Sequence, residues 1–169
     1  MDYVRYVKAV VYAFAQHAGG RRHGGEPYIE HPLRVAEHLR RLAGCEDVDV
    51  LCAAVLHDTI EDSGTRYDEL AERFGDRVAR IVAELTNDSR LPKPERHADM
   101  IQRLAGASRE AKLIKLADRY DNLLSQAEVP RERRARFLEE TPRLLAALEG
   151  VCPALETRIE QLLAQATRQ

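Results

Sequence analysis

The chain has 169 residues, 44% hydrophobic and 32% charged, with a formal net charge of −2. That is the composition of a soluble globular protein able to bury a core, and without a basic excess no nucleic-acid partner is expected. Nothing approaches the ~18 apolar residues of a membrane span, no signal peptide is evident, and Cys45, Cys52 and Cys152 form an odd set without a C-x-x-C pair, so a cytoplasmic protein with reduced thiols and no membrane partner is expected.

The apolar period is helical almost everywhere. Val4, Val7, Val11, Phe14 and Ala18 make one stripe, which the glycine-rich segment "AGGRRHGGEP" ends. Pro32 suits the first position of a second helix carrying Val35, Ala36, Leu39, Leu42 and Ala43. A third helix is predicted over 48 to 60, and "TRYD" at 65 to 68 resembles a capping box for a short helix that Gly75 stops. Val78, Ile81, Val82 and Leu85 give the next stripe, and Pro94 can begin the helix holding Met100, Ile101 and Leu104. Ser108 can cap the strongest helix, "REAKLIKLADRYDNLLSQ", and two helical stretches follow Pro130, with Pro142 expected to kink or split the first. The reading is a single all-α domain over 1–169, a compact bundle of about eight to ten helices.

Four polar residues contradict this apolar pattern. His31 lies one turn before Val35 and so belongs on the core side of the second helix. His57 and Asp58 end the third, where Asp58 falls on the stripe of Leu51, Ala54 and Val55. Asp118 sits between Leu116, Ala117 and the apolar residues that follow, with Ile114 one turn before it. An isolated buried carboxylate costs several kcal/mol, so such groups are normally protonated, paired or bound to a metal. Taken singly, each residue has an ordinary explanation: a helix-end cap, a pair with Lys115 or Arg119, or a satisfied core histidine. Together, two imidazoles and two carboxylates on three helices suit one divalent ion, Mn²⁺, Fe²⁺ or Zn²⁺.

The order His31, His57-Asp58, Asp118 resembles the HD superfamily of metal-dependent phosphohydrolases. Within it, "GEPYIEHPLRVA", "AAVLHDTIED", "FGDRVARIVAELTND" and "KLADRYDNL" resemble segments of the RelA/SpoT-type alarmone hydrolase domain. The short length and "LTNDSRLPKPER" are most similar to its stand-alone small hydrolases, the metazoan SpoT-homologue type. The resemblance spans roughly residues 14 to 125. It implies removal of the 3′-pyrophosphate of ppGpp or pppGpp, giving GDP or GTP and pyrophosphate, usually with Mn²⁺. The substrate partner is then a guanine nucleotide.

By the same resemblance His31, His57, Asp58 and Asp118 are the metal ligands, and Glu61 and Asp62 match the catalytic acidic pair that follows the HD motif. On a continuing helix these acids would stand four residues from His57 and Asp58 and overhang the metal. Arg22 and His23 match a basic substrate-binding pair, Asn122 a nucleotide-contacting asparagine, and Arg133, within the group Arg131, Arg133, Arg134 and Arg136, is chosen for the distal phosphates. Three positions depart from the family pattern: His23 is usually lysine, Asp121 stands where an uncharged or basic residue is common, and Leu124 replaces an arginine. An acid beside a polyanion and a missing arginine would weaken phosphate grip, so a different nucleotide, as for an NADPH 2′-phosphatase, is the alternative substrate reading. A domain that binds without turnover is the third, and the complete ligand set disfavours it.

Overall fold

The computed structural model describes residues 2–166. Among them the chain is all-α, with a lone β-bridge joining Arg21 and Pro27 in a loop. In chain order the helices are α1 (Tyr3–Gln16), α2 (Glu30–Ala43), α3 (Val48–Leu56), α4 (Thr59–Ser63), α5 (Tyr67–Phe74), α6 (Asp76–Leu85), α7 (Lys93–Leu104), α8 (Arg109–Leu124), α9 (Arg131–Ala147) and α10 (Pro153–Ala166). A short 3-10 turn, Gln126–Glu128, joins α8 to α9. No helix among the described residues is long and apolar enough to cross a membrane.

The core is built around α3, whose residues from Val50 to Leu56 are all buried. A helix apolar on every side must be covered on every side, and α1, α2, α6 and α8 surround this one. Its start is fixed by Asp47, which accepts the Asp49 N–H at 2.9 Å. The longest contact surface of α2 is with α8, which Ser108 caps by accepting the Ala111 N–H at 3.2 Å. Leu39, Leu51, Leu56, Ile114 and Leu116 are fully buried across these helices, each contributing on the order of 1.5–3 kcal/mol by burial. The core therefore fixes α2, α3 and α8 relative to one another.

Five local expectations need correction. The stripe of Val4, Val7, Val11 and Phe14 faces outward, each side chain more than half exposed, and Ala18 is exposed too. The core-facing side of α1 is instead Ala9 and Ala13, whose small side chains let α1 lie close against α3. The third helix stops at Leu56. His57 Nδ1 takes the Ala54 carbonyl (2.8 Å) and Thr59 Oγ1 the Leu56 carbonyl (2.7 Å), so side chains satisfy carbonyls that helix continuation would have used. Pro32 lies within the first turn of α2 and not at its first position. Thr65 makes no cap: α5 starts after Arg66, and the Thr65 hydroxyl meets Tyr12 and Ser63 instead. Of the two outcomes expected at Pro142, a split does not occur: α9 runs continuously through it, with Thr141 bonding back to the Phe137 carbonyl at 2.7 Å.

Gly75 does stop α5. Its φ of 96° is a left-handed value that side-chain-bearing residues rarely adopt, and it turns the chain directly into α6.

Candidate active site

Three of the four polar residues that break the apolar pattern meet at one point. His31 from the first turn of α2, His57 just past α3 and Asp118 from the middle of α8 are all buried, and one donor atom from each lies within 4.8 Å of the others. His31 Nε2 is 3.3 Å from Asp118 Oδ1, and His57 Nε2 is 4.0 Å from the same oxygen. Asp58 stands at the rim of this group. Its Oδ1 is 3.2 Å from His57 Nε2 and its Oδ2 3.8 Å from His31 Nε2, while Tyr28 donates its hydroxyl to Oδ2 at 2.7 Å.

Both imidazoles point Nε2 inward because Nδ1 is occupied elsewhere. His57 Nδ1 donates to the Ala54 carbonyl, and His31 Nδ1 meets Asp121 Oδ2 at 2.7 Å. The ordinary pairing of Asp118 with Lys115 is also present, Nζ to Oδ2 at 2.8 Å, but it leaves Oδ1 facing the histidines.

The electrostatics of the cluster favour a cation. Burial disfavours charge on His57, yet Asp58 and Asp118 outweigh it and raise its pKa to about 9. Burial opposes charge on Asp118 as well, but Lys115 and the two histidines hold it well below the usual carboxylate range. The carboxylates thus draw positive charge to the cluster. His57 Nε2 is buried and makes no well-directed hydrogen bond, although Asp58 Oδ1 lies 3.2 Å away, so with Nδ1 donating to Ala54 its lone pair is the atom turned toward the group. Two imidazole nitrogens and one aspartate oxygen, from His31, His57 and Asp118, could hold a divalent ion.

His31, Asp58 and Asp118 form the floor of a cavity of ≈ 190 Å³ that is also lined by Arg22, Glu61, Asp62, Asn87, Lys115 and Asn122, while His57 is buried and does not itself line it. Arg22, Tyr28 and Asn122 are shared with a larger cavity of ≈ 500 Å³, whose other walls are Arg21, His23, Gln126, Val129, Arg133 and Phe137. One cleft therefore runs from an acidic floor to a basic mouth. Asn122 links the two: it donates to Asp118 Oδ1 at 2.5 Å and accepts from Arg22 at 2.9 Å. Across the mouth Arg133 and His23 approach to 3.0 Å. The neighbouring arginines Arg131, Arg134 and Arg136 do not line it.

The acidic pair is not displayed from a continuing helix, since α3 has ended. It stands on α4, where the Asp62 N–H bonds the Asp58 carbonyl at 2.9 Å and keeps it one turn from the cluster. Burial and the charge of Asp58 raise the Asp62 carboxyl above its ordinary pKa. Glu61 instead accepts the side-chain amide and backbone N–H of Asn87, at 2.9 and 3.2 Å.

Two of the three departures lie outside the cleft. Asp121 is buried on the far side of the His31 ring, and Leu124 is exposed and lines neither cavity. Spacing alone did not single out Arg21, Tyr28, Asn87, Lys115, Gln126 or Phe137 as cleft residues. Tyr28, Asn87 and Lys115 lie inside quoted motifs, and Lys115 is otherwise named only as a pairing partner for Asp118.

A model of the HD domain matches residues 9–150. The chain is 39% identical over 143 residues to a Danio rerio protein named guanosine-3′,5′-bis(diphosphate) 3′-pyrophosphohydrolase MESH1, covering 82% of this chain and 79% of that one. It is 37% identical to the Homo sapiens protein of the same name, over 94% and 93% of the two chains. A solved structure described as a metazoan orthologue of SpoT that hydrolyses ppGpp superposes with a TM-score of 0.91 at 32% identity, over 96% of this chain and 95% of that one. The chain is an enzyme of the HD-domain family, in the branch that holds the MESH1-type 3′-pyrophosphohydrolases.

Proposed function

We propose that the protein is a Mn²⁺-dependent guanosine-3′,5′-bis(diphosphate) 3′-pyrophosphohydrolase, cleaving ppGpp or pppGpp to GDP or GTP and pyrophosphate. The observation that carries this reading is the single cleft in which a buried histidine–aspartate cluster opens onto a mouth of arginines. Names borne by relatives similar along most of their length support the substrate.

His31, His57, Asp58 and Asp118 are the proposed ligands. When bound, the ion acidifies water and offsets phosphate charge. Arg21, Arg22 and Arg133 hold the phosphates, their planar forks matching phosphate oxygens. Val129 and Phe137 give the nucleoside an apolar wall. Water adds to the phosphorus carried by the 3′ oxygen, the bond between that phosphorus and the 3′ oxygen breaks, and pyrophosphate leaves. The 3′ oxygen needs a proton. Asp62, with its raised pKa and its place one turn above the floor, supplies it. Glu61, fixed by Asn87, orients the water and takes the proton that the water loses, which balances the one Asp62 gives. Asn122 couples the two ends of the cleft, since the amide that touches Asp118 also receives Arg22.

The NADPH 2′-phosphatase reading loses two of its three supports, because Asp121 and Leu124 line no part of the cleft. His23 remains, at the mouth. Incubation with Mn²⁺ and ppGpp, against a chelator control and an NADPH panel, tests the proposal. Release of GDP with pyrophosphate is expected, and the absence of release, or a higher kcat/KM on NADPH, overturns it.

A further inference from the structure

Asp121 is a carboxylate with 1% of its surface exposed, on the side of the His31 ring away from the cleft. Burying that charge costs several kcal/mol unless it is well paired. Three side chains of one α2 face supply the pairing. His31 Nδ1 lies 2.7 Å from Oδ2, Arg34 Nε and a terminal nitrogen donate to Oδ1 and Oδ2 at 2.9 and 3.3 Å, and His38 Nε2 lies 3.1 Å from Oδ1. The His38 ring is held edge-on to Tyr120 with centroids 4.9 Å apart. The carboxylate plane is therefore fixed by a two-point arginine clamp, which leaves Oδ2 aimed at His31.

Asp118 and Asp121, one turn apart on α8, bracket the same imidazole from its two nitrogens. Asp118 meets Nε2 at 3.3 Å and Asp121 meets Nδ1. An ionised carboxylate accepts and cannot donate, so Asp121 holds a proton on Nδ1 of His31, and Nε2, which faces Asp118 and the cluster, is the nitrogen whose lone pair a cation would take in place of a proton. His57 receives its orientation from a neutral backbone carbonyl. The two imidazoles are thus supported unequally, and the charged partner makes His31 the more basic donor.

We propose that Asp121, clamped by Arg34 and His38, is a positioning residue that fixes the His31 tautomer and strengthens the hold of the cluster on its divalent cation. It rests on the metal reading of the cluster. Asp121 is then no obstacle to an anionic substrate, which it never faces; it acts on the cation through His31.

The experiment measures Mn²⁺ affinity by electron paramagnetic resonance for wild type, Asp121→Asn and His57→Ala. Wild-type binding at one site, lost in His57→Ala, checks the metal reading by itself. Asp121→Asn keeps the shape but turns an amide N–H toward His31 Nδ1, favouring the tautomer whose Nε2 is blocked, as in the aspartate-to-asparagine change of a catalytic triad. A weakening of about 10–100-fold in Kd is expected, with turnover recovering as Mn²⁺ is raised. An unchanged Kd with a lowered Tm overturns the proposal and leaves Asp121 a brace between α2 and α8. Should Asp121→Asn not fold, the partly exposed Arg34→Gln takes its place, with ¹⁵N spectra of the histidines. A smaller loss of affinity and a His31 that leaves the Nδ1–H form support the proposal; wild-type affinity with an unchanged tautomer overturns it.

Discussion

The floor and the mouth of the cleft are made in different ways. His31, His57 and Asp118 are buried side chains on or beside helices that the core locks together. Arg21, Arg22 and His23 come from a loop and Arg133 from the first turn of α9, and three of these four are exposed. The floor is organised before anything binds, because moving any of its residues means moving a core helix. The mouth is built from long, mostly exposed side chains held by a few hydrogen bonds, such as Arg22 to Asn122 and Arg133 to His23, rather than by a packed core. Changes at the floor should therefore remove turnover, and changes at the mouth should weaken binding and leave kcat nearly intact.

The sharpest contrast comes from the acids overlooking the floor. Glu61→Gln combined with Asp62→Asn should retain Mn²⁺ and lose about 10²–10⁴-fold in kcat, with most of the loss in Asp62→Asn alone. Full activity in the double variant, measured by GDP release, would remove both acids from the chemistry. At the mouth, Arg22→Ala should raise KM for ppGpp by roughly 10–100-fold, the worth of a charge-assisted hydrogen bond. A steady-state assay giving a fall in kcat with constant KM would dissolve the distinction between the two regions.

Stability should divide in a similar way between buried and displayed positions. Leu116, fully buried on the helix that carries Asp118, should cost about 2–5 kcal/mol when replaced by alanine. Val11→Ala, on the outer face of α1, should fall within about 0.5 kcal/mol of wild type. Denaturant midpoints compare the two, and equal losses would mean that the outer face of α1 is covered after all.

The mildest effect belongs to His97 on α7. Burial, then the charges of Arg119 and Lys115, lower its pKa to about 4, below the ordinary 6.5, against the pull of Glu140, whose Oε2 lies 3.4 Å from Nε2. The unfolded chain then binds a proton that the folded chain refuses. This contribution to stability is complete above pH 6.5 and is lost as pH falls toward 4. His97→Gln should flatten the fall in Tm across that window; an unchanged slope would place the acid sensitivity elsewhere.

The floor was legible because it violates the apolar period. A histidine one turn before Val35 and an aspartate among Leu116 and Ala117 can only be core-facing if those helices are helices. The mouth carried no such conflict, since exposed arginines are unremarkable; motif resemblance pointed to Arg22 and His23, and Arg133 was a choice within a basic cluster beyond the resembling segment. Periodicity also cannot tell which face of a doubly apolar helix is covered. On α1 the valines form the more hydrophobic stripe, but the alanines permit close approach to α3 and take the core. Asp121 shows the complementary limit: three residues past Asp118, its side chain meets α2 behind the ring and not the substrate in front, a matter of helix packing that no local pattern contains.

Anomalous diffraction from crystals grown with Mn²⁺ tests the central claim most directly. A single strong peak is expected at roughly 2.0–2.3 Å from His31 Nε2, His57 Nε2 and one oxygen each of Asp58 and Asp118, allowing for typical ligand distances. A saturating manganese concentration that leaves no peak among these four side chains, or places it at the arginine-lined mouth, would contradict the account.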